Sequence, residues 1–127
     1  TERFLIDPER LEELIRALGP HPGAAHLPEI LRVYFEFHEA QGEGYQAQIH
    51  DLLTCMIALR TIPYEDTSTT IAVEAHSELM RGTSVADLRG HWHRSHNARL
   101  VTDADIAAAH RELLRVARAL AGRPGIS

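Results

Sequence analysis

The sequence predicts an all-α fold, a single-domain bundle of about five to six short helices over residues 1–127. Three observations lead there. Apolar residues recur at helical spacing through most of the chain. Cap-forming residues stand ahead of several of those stretches. The segment that best suits a strand, Thr67 to Val73, has no evident strand to pair with. A length of 127 residues, 44% hydrophobic and 24% charged, is that of one globular domain rather than a disordered chain.

The first helix has Asp7 as N-cap, Pro8 at N1 and Gly19 to end it, with Leu11, Leu14, Ile15 and Leu18 on one stripe and Ile6 and Leu11 as a hydrophobic staple. After the turn Gly19-Pro20-His21-Pro22-Gly23, a second helix is expected from Pro28 to Gln41. Its broad apolar face is built of Ile30, Leu31, Tyr34 and Phe37, flanked by Val33 and Phe35. A third, from Gly44 to Arg60, carries Tyr45, Ile49, Leu52, Leu53, Met56 and Ile57 at helical spacing, and Pro63 blocks any continuation past Arg60.

The segment 67–81 is ambiguous, since its β-branched first half fits a strand as well as a helix. Ala72, Ala75, His76 and Leu79 favour helix, with Gly82 at its end. Ser84 and Asp87 resemble a capping box for a fifth helix bearing Val85, Leu88 and Trp92, which ends near Asn97. Thr102 and Asp105 repeat that spacing, Val101 and Ile106 can staple, and the longest helix then runs through Ile106, Ala109, Leu113, Ala117 and Leu120 to Gly122.

Composition narrows the function classes. The longest apolar run, Leu52 to Leu59, is broken by Thr54 and is too short to cross a bilayer. Thr1-Glu2-Arg3 has no signal-peptide pattern, so no membrane association and a cytoplasmic location are expected. The lone Cys55 excludes an internal disulfide and reads as a small buried thiol. All 13 basic residues are arginine, a composition to which no function is attached. Residues 1–66 hold 5 Arg against 12 Asp and Glu, and residues 67–127 hold 8 Arg against 6. With a net charge of −5, the chain as a whole does not carry a nucleic-acid footprint.

Histidine is the oddity, with nine residues. The densest cluster is Arg89-Gly90-His91-Trp92-His93-Arg94-Ser95-His96-Asn97-Ala98-Arg99. On a helix, His93 and His96 would share a face and could hold one divalent transition metal, with His76 and Glu74 as the further ligands. The bland alternative is a solvated basic face anchored by Trp92, on which Trp92, Arg94 and Arg99 form a surface for a ligand or partner. His76 on its apolar stripe, and His38 beside Glu36 and Glu39, read by default as structural histidines. Glu-x-x-His and His-Glu-x-x-His motifs are absent, one cysteine excludes a thiolate zinc site, and no glycine-rich phosphate loop is present.

Two short resemblances add to these signals. Arg89 followed by His96 is similar to the Arg-x4–6-His signature of the all-helical HEPN ribonucleases, although Gly90 replaces the polar residue usual after that Arg. The order His26, His50-Asp51, Asp105 resembles the ligand order of HD-type metal-dependent phosphohydrolases. That resemblance implies that these four side chains hold a metal ion, which activates water against a phosphate ester.

The function expected from these features is a small helical binding or regulatory module for a small-molecule ligand or a protein partner. The broad faces of the second and third helices suggest a homo-oligomer, a dimer above all. The alternative is a metal-dependent enzyme, using either the His93, His96, His76 and Glu74 set or the His26, His50, Asp51 and Asp105 set.

Overall fold

A computed structural model describes residues 3–123. It is mixed α/β and not an all-α bundle: the described residues form four α-helices and six short strands in small antiparallel sheets. The strands are β1 (Leu5–Ile6), β2 (Ala47–Gln48), β3 (Tyr64–Thr69), β4 (Ile71–Val73), β5 (Ser84–Ala86) and β6 (Ala98–Ala104). The helices are α1 (Pro8–Leu18), α2 (Leu27–Ala40), α3 (His50–Ala58) and α4 (Ile106–Ala121). The described residues form two compact units, 3–63 with 105–123, and 64–104.

In the first unit, α1 lies where its cap and periodicity place it. The Asp7 carboxylate accepts from the Arg10 N–H at 2.8 Å, and Leu11, Leu14 and Leu18 are buried. Its partner is α4, with Leu14, Leu18, Ala24 and Ala117 forming one core cluster. A second cluster joins Ile6, Leu11, Leu31, Phe35 and Ala47, so α2 buries the Leu31 and Phe35 side of its surface. The other side stays open: Ile30, Val33, Tyr34 and Phe37 are each more than half exposed.

The third predicted helix is shortened. Gly42 and Gly44 adopt φ values of 78° and 90°, a left-handed backbone that glycine tolerates and a helix does not continue through. The chain then runs extended as β2, pairing Ala47 with Ile6 and Gln48 with Leu5 before α3 begins at His50. Cys55, expected to be buried, is exposed on α3.

The second unit overturns the fourth and fifth predicted helices. The β-branched run Thr67 to Val73 is strand on either side of Thr70, because partners do exist: β6 pairs antiparallel with β3 from Tyr64↔Ala104 to Thr69↔Ala98, with an irregularity between Glu65 and Asp66, and β5 pairs with β4. Val101 and Thr102, read as staple and cap, are instead in that strand. The cap of α4 is Asp105, whose carboxylate accepts from the Ala108 N–H at 2.8 Å. Residues 71–86, expected as helix and helix start, form the β4–β5 hairpin. Asn97 closes the unit by bonding both the N–H and the carbonyl of Ile71, at 2.8 and 2.9 Å, as a strand neighbour would. No helix among the described residues is long and apolar enough to cross a membrane.

Candidate functional site

The site begins at strand β1, whose Ile6 is buried. Its pairing with β2, extended by the Ile49 N–H to the Phe4 carbonyl at 3.0 Å, fixes residues 47–49 against the core. Side chains alternate along a strand, so Ala47 is fully buried while Gln48 is turned to the other face. Ile49 packs on the core, and the chain enters α3 with His50 and Asp51 exposed in its first turn. No side chain caps this helix start, and a carboxylate there is favoured by the helix dipole.

Gln48, Ile49, His50 and Asp51 border an open depression whose other wall is Leu31 and Tyr34 of α2. Its volume is about 290 Å³, at the lower edge of the range of roughly 300–1,000 Å³ for small-ligand sites. It combines an apolar floor with an amide, an imidazole, a carboxylate and a phenol. That set can bind a polar organic ligand and move protons to and from it. Sequence reasoning singled out His50 and Asp51 but missed Tyr34 and Gln48. The signal for Tyr34 was the excess breadth of the apolar face of α2; for Gln48 it was its position directly ahead of Ile49-His50-Asp51.

The other members of the HD-like set do different work. Asp105 caps α4 and approaches Arg111 at 4.0 Å, and His26 is exposed at the end of a 3-10 turn over Pro22–His26. Among the described residues no three His, Cys, Asp or Glu side chains converge as a metal site, which applies equally to His26, His50, Asp51 and Asp105 and to His93, His96, His76 and Glu74.

In the second unit the histidine cluster is a loop, not a helix face, so the spacing argument for His93 and His96 does not hold. His93 has a φ of 50°, and the His96 Nδ1 lies 3.0 Å from the Ser68 hydroxyl. Glu74 turns its carboxylate back on its own turn, accepting from the His76 and Ser77 N–H groups at 2.6 and 2.9 Å. Those bonds hold its pKa below the ordinary 4.5. His76 is exposed rather than on a buried stripe, since the helix that would have buried it is a hairpin. Asp87 likewise holds the loop, accepting from the Trp92 and His91 N–H groups at 2.7 and 2.9 Å, which lowers its pKa from 3.8. Trp92 is about a third exposed with the Arg94 guanidinium 5.9 Å above its ring, and Arg99 is engaged by Asp66. Arg89 and His96, the HEPN-like pair, lie in this same loop rather than on a helix.

No curated protein matches the chain. The family described as inosine-uridine preferring nucleoside hydrolase matches residues 1–111, most of the sequence and all of the residues around the depression. This match overturns the expectation of a binding or regulatory module and points to a hydrolase, closer to the metal-enzyme alternative. The chain belongs to the inosine-uridine preferring nucleoside hydrolase family.

Proposed function

We propose that this protein hydrolyses the N-glycosidic bond of a ribonucleoside of the inosine or uridine type, with the depression between α2 and α3 as its substrate-binding surface. The observation that carries the reading is that Tyr34, Gln48, His50 and Asp51 border one concave surface within the matched residues. In this hydrolysis a water oxygen bonds to the anomeric carbon while the carbon–nitrogen bond breaks. The bonding electrons leave with the base, which takes up a proton.

The positive charge that develops on the sugar calls for a nearby carboxylate, and the departing base calls for a proton donor. Asp51 fits the first role and can orient or deprotonate the water. His50, beside it in sequence, fits the second, since imidazole exchanges protons near neutral pH. Tyr34, 53% exposed, offers a ring face for the base or sugar.

Hydrolases of this family depend on calcium. Calcium takes about six to eight oxygen ligands, whereas Asp51 is the carboxylate bordering the depression and no three donors converge among the described residues. These residues do not by themselves make a calcium site, so the roles assigned to Asp51, His50 and Tyr34 involve side chains alone. Titration of ¹⁵N-labelled protein with uridine, with and without calcium, tests the site. The expected shifts center on the backbone signals of Gln48 to Asp51 and on Tyr34; shifts confined to residues 64–104 would refute the assignment.

A further inference from the structure

The chain that leads into the depression is held by a contact the proposed mechanism does not use. At the last turn of α2, the His38 side chain is only 12% exposed and its Nδ1 lies 2.5 Å from Glu43 Oε2. The Glu43 N–H donates to the His38 carbonyl at 3.0 Å, and the Gln46 side-chain amide donates to the Glu43 carbonyl at 2.6 Å. The same carboxylate oxygen that meets His38 is also 3.5 Å from Nε2 of Gln48, a long contact but one of defined polarity.

Glu43 Oε2 is the acceptor in this contact, so the NH₂ end of the Gln48 amide faces Glu43. The other end of the amide is the acceptor Oε1, and Gln48 borders the depression. An acceptor there suits a ligand group that donates. Inosine and uridine both carry a ring N–H beside a carbonyl on the base, whereas adenosine and cytidine have an unprotonated ring nitrogen at the equivalent edge.

We infer that His38 and Glu43 are positioning residues that orient the Gln48 amide, and that Gln48 Oε1 reads the lactam N–H of the base. The inference rests on the nucleoside-hydrolase reading and adds to it the origin of base preference. Gln48→Leu removes the acceptor and is expected to raise KM for inosine and uridine about tenfold, the effect of one hydrogen bond. It leaves kcat within about twofold, because binding is lost equally from ground and transition states, and it narrows the preference over adenosine and cytidine. Glu43→Gln, which lets the Gln48 amide turn over, and His38→Leu, which releases Glu43, change KM in the same direction. His38→Asn, whose side-chain N–H can replace the Nδ1 donor, restores it.

The side-chain ¹⁵N–¹H signals of Gln48 in the unliganded protein give a readout independent of activity. They are expected to move in Glu43→Gln and His38→Leu and to return in His38→Asn. Unmoved Gln48 signals with hydrolysis intact would overturn the inference and leave the hydrolase reading standing. Moved signals with unchanged base preference would overturn the recognition role. Moved signals alongside a wild-type protein that hydrolyses no nucleoside would reject the hydrolase reading and with it the role given to Gln48.

Discussion

Tyr34 on the open side of α2 and Asp51 in the first turn of α3 border the same depression, because the β1–β2 pairing carries the chain from one helix to the start of the next. A two-residue strand anchored in the core by Ile6 thus sets the geometry of an exposed site. The neighbour of Tyr34, Phe35, is 3% exposed and belongs to the core, so two adjacent aromatic residues have separable roles.

That separation can be measured. Phe35→Ala should cost about 3–5 kcal/mol in unfolding free energy, by lost burial and the cavity left behind. Tyr34→Ala should stay within about 0.5 kcal/mol of the parent but weaken nucleoside binding. Chemical denaturation with uridine titration of the same two variants checks both expectations.

Asp51→Asn and His50→Ala should each lower the rate of base release by about 10²–10⁴-fold, the range for removal of a positioned acid or base. Both side chains are exposed, so the circular dichroism spectrum and melting temperature should be little changed. Loss of activity accompanied by unfolding would instead mark them as structural.

Asp105→Ala should cost about 1 kcal/mol through loss of the α4 cap, with no change in base release. Asp7→Ala should do the same at α1, where Asp7 caps through the Arg10 N–H at 2.8 Å. A specific loss of hydrolysis in Asp105→Ala, without loss of stability, would restore Asp105 to the site and contradict its role as a cap.

His110 supplies a pH dependence. Half-buried beside Phe4, with ring centroids 4.8 Å apart, it has a pKa below the ordinary 6.5, first because burial disfavours its charged form and then because Arg10 is near. Asp7 and Glu13 act in the opposite direction. The unfolded chain therefore binds more protons than the folded one as pH falls below 6.5, so stability decreases on acidification through that value and toward the lowered one. His110→Gln should shrink the fall in melting temperature between pH ~7.5 and ~5.5. An identical fall in both proteins would assign the effect to other groups.

The sequence is most legible where local signals and tertiary packing agree. Asp7, Pro8 and the Leu11-Leu14-Leu18 stripe predict α1, and each does what its position suggests. It misleads where pairing partners are distant. Thr67 to Val73 has strand-forming residues, but the partner of its first part, Ala98–Ala104, carries Val101 and Thr102, which with Asp105 and Ile106 imitate a staple and a capping box. With that partner read as a helix start, the hairpin reads as helix, and His93 and His96 acquire a shared face that the loop does not give them. His50 and Asp51 are legible as an adjacent pair able to do chemistry. Gln48 and Tyr34 are not, because their place at the depression depends on the β1–β2 register and on which side of α2 is covered.

Nucleoside hydrolysis at Asp51 is open to a simple assay: chromatographic measurement of free hypoxanthine and uracil after incubation of the chain with inosine and uridine in the presence of calcium, beside the Asp51→Asn variant. Stoichiometric release of base and ribose by the parent, and loss of most of it in the variant, is expected. No release by the folded parent, or equal release by Asp51→Asn, would contradict the assignment.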